Sequence, residues 1–187
     1  DMALYTNIGH SHIESYGSRE ALIKDKLSLS DYGKADGLAF VNYDDEALMS
    51  YPFKQKVVTY SLKNPEADYF AENIVKSGSG YDFIIAAATS AGGYDRIPAH
   101  INVLGEHNVL NAVTAFAVGR ALKIKDEEII TGIAAYHPSG MRQNLIEMGP
   151  YHIFADCYNS SLMAVENTLA AMDEMQLPDD SGRRIAV

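Results

Sequence analysis

Three short stretches carry the side chains that could do chemistry. Residues 6–26, TNIGHSHIESYGSREALIKDK, hold two histidines, two glutamates and two lysines around Gly17. His10 and His12 follow directly on an apolar run, and Lys26 stands fourteen residues beyond His12. Imidazole and amine groups at this spacing could handle a metal ion and a phosphate, since imidazole ligates metals and cations balance phosphoryl charge. They also fit a strand, a turn and a solvated helix carrying an exposed lysine. Residues 104–122, LGEHNVLNAVTAFAVGRAL, put His107, Asn108 and Asn111 at the head of an apolar helix. Such a helix start offers unpaired N–H groups and the positive end of the dipole. The competing reading is a core helix with Asn108 as its N-cap. Residues 141–161, MRQNLIEMGPYHIFADCYNSS, contain Arg142, and Asp156 just after an apolar strand, where open α/β sheets hold ligands. Alone, that aspartate equally fits an ordinary strand-end turn.

The elements that must position these residues follow from pattern and punctuation. Residues 2–8 read as a buried strand, Ser18 as an N-cap, and 19–30 as a helix with a Glu20–Lys24 pair. A buried strand over 38–41 exits through the polar run 42–45 into a brief helix over 45–51, and 56–61 is a further strand. Between 66 and 103, β-prone runs at 68–74, 81–88 and 97–103 alternate with SGSG and SAGGYD. These predict an antiparallel sheet packed beside the αβ layers. Helices follow over 108–122 and 126–135, the second ended by His137-Pro138-Ser139-Gly140. From residue 151 the pattern is strand, turn, helix and a last strand over 183–187. A strand–helix–strand unit cannot cover its own sheet, so the chain reads as a piece of a longer enzyme.

Composition narrows the class. The chain has 187 residues, of which 47% are hydrophobic, enough to bury a core. Twenty-five acidic and fifteen basic residues leave a formal net charge of −10, which argues against nonspecific nucleic-acid binding. An anionic small substrate remains compatible, because a few local cations dominate a pocket. No apolar run reaches the roughly 18–20 residues that cross a bilayer. The single cysteine, Cys157, allows no internal disulfide.

In this order and spacing the three motifs resemble the Mur ligase family, ATP-dependent amide ligases that build the peptidoglycan precursor. GSRE at 17–20 and DCYNSS at 156–161 look most like the branch that adds D-alanyl-D-alanine. The resemblance implies an α/β fold: the distal part of the central ATPase domain over 1–147, a mostly parallel sheet with helices plus a small antiparallel sheet. The start of a Rossmann-like C-terminal domain would follow over 148–187. It implies that His12 ligates magnesium and that Lys26 becomes carbamylated, the anionic carbamate suiting a hard cation. His10 is left structural. His107, Asn108 and Asn111 are implied at the adenine and nucleotide, Arg142 near the nucleotide, and Asp156 on the ribose hydroxyls.

Implied ligands are ATP and Mg2+, and implied partners are UDP-MurNAc-peptide and D-alanyl-D-alanine, in the bacterial cytoplasm without membrane insertion. Two positions depart from the family pattern: Asn144 where many relatives have glutamate, and Leu162 where many have proline. No Gly-Lys-Thr or Gly-Lys-Ser occurs, and the one Gly-Lys, Gly33-Lys34, precedes Ala35. The phosphate loop and the UDP-substrate domain are therefore expected upstream of Asp1, and the 187 residues alone are expected to be inactive. Rival readings are a ligase for another amino acid, or a catalytically inactive domain that keeps the fold for binding.

Overall fold

The computed structural model describes residues 1–9, 13–158, 161–175 and 182–186. Its centre is one six-stranded sheet of β1 (Met2–Tyr5), β2 (Leu38–Asn42), β3 (Lys56–Ser61), β4 (Tyr69–Ser77), β5 (Gly80–Ala88) and β6 (Tyr94–Ile101), in that spatial order. The pairings β1–β2, β2–β3 and β3–β4 are parallel; β4–β5 and β5–β6 are antiparallel. The antiparallel strands expected beside the αβ layers therefore continue the same sheet. Only Tyr60 and Ser61 of β3 pair with β4, at Tyr69 and Phe70. The rest of β4 and its partners run past the carboxyl ends of the parallel strands.

Between β1 and β2 lie α1 (Ile13–Tyr16), α2 (Arg19–Leu27) and α3 (Leu29–Tyr32), and α4 (Glu46–Met49) follows β2. Ser18 caps α2 as its pattern predicts, accepting from Ala21 N at 3.1 Å. The expected helix over 19–30 is interrupted at Ser28, whose hydroxyl donates to Asp25 O at 2.6 Å and ends the ladder there. β2 is covered on both faces, which explains its unbroken apolar run. Phe40 joins Tyr60, Phe83, Ile85, Val113 and Phe116 in the main core, whereas its neighbours Ala39 and Val41 pack with Tyr5, Leu27 and Leu48 on the other face.

Two helices, α5 (Glu106–Ala121) and α6 (Asp126–Ala134), cover the main core. They approach closely at Gly119, where a Cβ would lie 2.7 Å from the Ile129 side chain. A two-stranded antiparallel sheet, β7 (Asn144–Met148) with β8 (Tyr151–Ala155), leads to α7 (Leu162–Glu174). The last strand expected over 183–187 is not formed at 182–186; Val187 lies outside the described residues. Arg184 instead donates to the carbonyls of Met172, Asp173 and Met175, closing the carboxyl end of α7 where free carbonyls need partners.

Candidate functional site

The carboxyl ends of the parallel strands are stitched by the polar run after β2. Asn42 donates to Thr6 O at 2.9 Å, and Asp45 accepts Ile8 N–H at 2.7 Å while capping α4 through Leu48 N. Asp44 accepts from Ser61 Oγ at 2.7 Å and Leu62 N at 2.9 Å. Just beyond, Lys63 pairs with Glu106 at 2.8 Å, bringing the start of α5 to this edge.

The turn into α5 is set by Gly105, at φ +93°, a region that L side chains avoid. A Cβ there would lie 2.5 Å from the His107 ring, so the absent side chain also makes room for that imidazole. Gly105 N donates to Tyr81 Oη at 3.3 Å, and Tyr81 in turn donates to Glu174 of α7. Burial, then the bond to Glu174, pushes the Tyr81 phenol up to about 12, so it keeps its proton. Gly105, not Asn108, is the N-cap: the helix begins three residues earlier than an Asn108 cap requires. Asn108 lies one turn inside, buried, with its amide nitrogen 2.7 Å from Leu104 O and 2.7 Å from Gln143 Oε1. His107 Nε2 accepts from Gln143 Nε2 at 3.0 Å, and burial holds the imidazole below its usual pKa. It is therefore neutral, with its proton on Nδ1. Asn111, exposed one turn on, reaches Asn108 Oδ1 at 3.5 Å.

The third motif comes to this helix start through the Gln143 side chain, which bonds Asn108 and His107. Met141 O accepts from Cys157 N at 3.1 Å and Tyr158 N at 3.3 Å, while Asn144 pairs with Ala155 in the β7–β8 ladder. Arg142 and Asp156 are thereby held on adjacent segments. The Arg142 guanidinium lies 4.5 Å from the Tyr158 ring centre and is otherwise exposed. Asp156 accepts from Thr168 of α7. Gln143, at φ +47°, joins the two halves, and no feature of the sequence singled it out. His107, Asn108 and Asn111 thus stand at the helix start, joined through Gln143 to the adjacent segments that carry Arg142 and Asp156.

Lys26 sits elsewhere, in the last turn of α2, exposed and with no ion pair among the described residues. His10 and His12 lie outside the described residues. Among the described residues no three His, Cys, Asp or Glu side chains cluster as a metal requires. Gly33-Lys34 precedes β2 at the amino ends of the parallel strands, away from the edge where such sheets hold ligands. No helix among the described residues is long and apolar enough to cross a membrane.

Residues 1–119 match the model of the Mur ligase middle domain. This chain belongs to the Mur ligase family. It is 29% identical to the UDP-N-acetylmuramoyl-tripeptide–D-alanyl-D-alanine ligase of Bacillus subtilis, over 94% of this chain and 37% of that protein. With the UDP-N-acetylmuramoyl-L-alanyl-D-glutamate–2,6-diaminopimelate ligase of Chlamydia caviae it shares 31% identity over 100% of this chain and 38% of the relative. The chain thus spans under two fifths of these Mur ligases. The MurF ligase of Thermotoga maritima, solved in complex with ADP, superposes with a TM-score of 0.76 at 21% identity, over 91% of this chain and 38% of that one. That likeness bears out the mixed α/β Mur ligase fold.

Proposed function

We propose that this chain supplies the adenosine side of an ATP-dependent ligase that joins D-alanyl-D-alanine to a UDP-MurNAc-peptide. The observation that carries the reading is that the start of α5, with His107, Asn108 and Asn111, is joined through Gln143 to the adjacent segments that carry Arg142 and Asp156. A buried helix start next to amides and one carboxylate suits a base and its ribose, with the carboxylate accepting from the hydroxyls. Residues 1–147 would belong to the central domain and 148–187 to the next, the two meeting within the β7–β8 hairpin. The name of the Bacillus subtilis relative and the DCYNSS motif support D-alanyl-D-alanine as acceptor.

The proposed reaction has two steps. A carboxylate oxygen of the peptide attacks the γ-phosphorus of ATP, the bond to ADP breaks, and an acyl phosphate forms. The amine of D-alanyl-D-alanine then attacks the acyl carbon, the C–O bond to phosphate breaks, and the amine loses a proton. Asn111 and Asp156 hold the nucleotide and Arg142 balances its charge. His12 and carbamylated Lys26 would hold magnesium, which when bound neutralises phosphate charge. The phosphate grip itself comes from outside these 187 residues, which contain no Gly-Lys-Thr or Gly-Lys-Ser. The whole enzyme would act in the cytoplasm, where its nucleotide substrates are made.

A second reading, a ligase adding another amino acid, is favoured by the 31% identity to the diaminopimelate ligase. The test is ADP release by the full-length protein with each of three pairs: UDP-MurNAc-tripeptide with D-alanyl-D-alanine, UDP-MurNAc-L-alanyl-D-glutamate with diaminopimelate, and UDP-MurNAc with L-alanine. Turnover only with D-alanyl-D-alanine is expected. Turnover only with a single amino acid would replace this acceptor by that one, and no turnover with any would favour an inactive binding domain.

A further inference from the structure

We infer that Gln143 occupies the place of the adenine edge, so that ATP binds only after this side chain is displaced. The inference rests on the nucleotide reading above and adds a residue that the family motifs do not mark. Gln143 presents an acceptor and a donor side by side. Its Oε1 accepts from Asn108 Nδ2 at 2.7 Å, and its Nε2 donates to His107 Nε2 at 3.0 Å. The edge of adenine carries the same pair, N7 as acceptor beside the N6 amine as donor, whereas guanine offers two acceptors there. A guanine O6 would meet the lone pair of His107 Nε2.

Asn108 cannot serve both occupants. Its amide has two hydrogens, taken by Leu104 O and Gln143 Oε1, each at 2.7 Å and nearer than His107 Nε2 at 3.2 Å. The base must therefore take the hydrogen that Gln143 now holds. Gln143 stands outside helix and strand, at φ +47°, so no ladder hydrogen bond holds it in place. It lies half-buried in the irregular segment between α6 and β7, three residues after Gly140 at φ +65°. The contact would keep the empty site closed and select the adenine edge over the guanine edge by the same two hydrogen bonds.

The test is calorimetric titration of the full-length protein with ATP and, separately, with inorganic tripolyphosphate, which lacks a base. Two variants are compared with wild type. Gln143→Leu removes the donor and acceptor. Gln143→Asn keeps an amide that is one methylene too short, on a residue type that tolerates this backbone. Both should bind ATP about fivefold or more tightly, the worth of one released hydrogen bond, with tripolyphosphate affinity unchanged. Asn111→Ala serves as the control for the site itself. If Asn111→Ala weakens ATP while both Gln143 variants leave it unchanged or weaker, Gln143 is a bystander or a ligand and this inference is overturned. If none of the three variants alters ATP affinity, the nucleotide reading itself fails and the inference with it.

Discussion

Single side chains divide into those whose chemistry shows in the sequence and those whose role depends on a partner far along the chain. Lys26 would be of the first kind: its spacing from His12 stands out in the sequence, and it forms no ion pair among the described residues. In the full-length protein Lys26→Ala should lose ligase activity by about a hundredfold or more, as when a charge-stabilising group is removed. Acetate or formate should restore part of it by standing in for the carbamate, and a fully active alanine variant would remove Lys26 from the mechanism. Gln143 is of the second kind, because an amide in an irregular loop has no pattern that reveals a contact thirty-five residues away.

His100 is another such residue. Its Nδ1 meets Asp82 Oδ1 at 2.6 Å and its Nε2 meets Asn102 Oδ1 at 2.8 Å, while the Asn102 amide donates to Ala134 O and ties β6 to α6. Only the imidazolium donates from both nitrogens, and these bonds, to Asn102 first and then Asp82, raise its pKa above the ordinary value. Asp82 stays ionised, held low by Ser77 and His100. The raised pKa means the stabilisation is fully present below about pH 6.5 and fades as pH climbs through the folded value. Melting curves of wild type and His100→Gln should therefore differ most near pH 6 and converge toward about pH 9. A gap that widens with pH would mean the neutral ring makes the contact.

At the scale of elements, the fold follows the apolar runs closely where burial dictates them and less well where caps decide. The strands at 38–42 and 56–61 and the helix at 126–134 lie within a residue or two of the pattern, since each buries an identifiable face. The start of α5 does not, because a glycine at φ +93° can begin a helix without a side-chain cap, which no composition rule announces. The end of the chain differs for a similar reason: Arg184 satisfies the carbonyls of α7, and a strand pattern alone does not foresee that competition. Capping also makes sense of Leu162. Ser161 caps α7 through Ala164 N at 3.2 Å from an extended backbone, and Leu162 is the first helical residue, 78% exposed. Proline fits that position, its ring set for the helix and its missing N–H not needed, and an extended preceding residue accepts it. Leu162→Pro should stabilise the protein by about 0.4–1 kcal/mol, read as a raised Tm. A lowered Tm would show that the Leu162 side chain or N–H has a partner in the full-length protein.

For the molecule as a whole, the α/β class and most of the order of elements were legible from the sequence, but β7 and the joining of parallel and antiparallel strands into one sheet were not. The junction rests on two residue pairs, Tyr60 with Tyr69 and Ser61 with Phe70, too few to leave a periodicity. That junction matters, because β4–β6 overhang the parallel strand ends and place the start of α5 at the same edge. There the Gln143 side chain ties the segment of Arg142 to the helix start, and Met141 O, accepting from Cys157 N and Tyr158 N, holds the segment of Asp156 beside it. The central claim is that adenosine binds where these segments meet. A crystal structure of the full-length protein with ADP tests it most directly. The account predicts the adenine within hydrogen-bonding distance of Asn108, the ribose hydroxyls on Asp156, and Gln143 turned away. ADP bound elsewhere, with Gln143 still bridging His107 and Asn108, would contradict it.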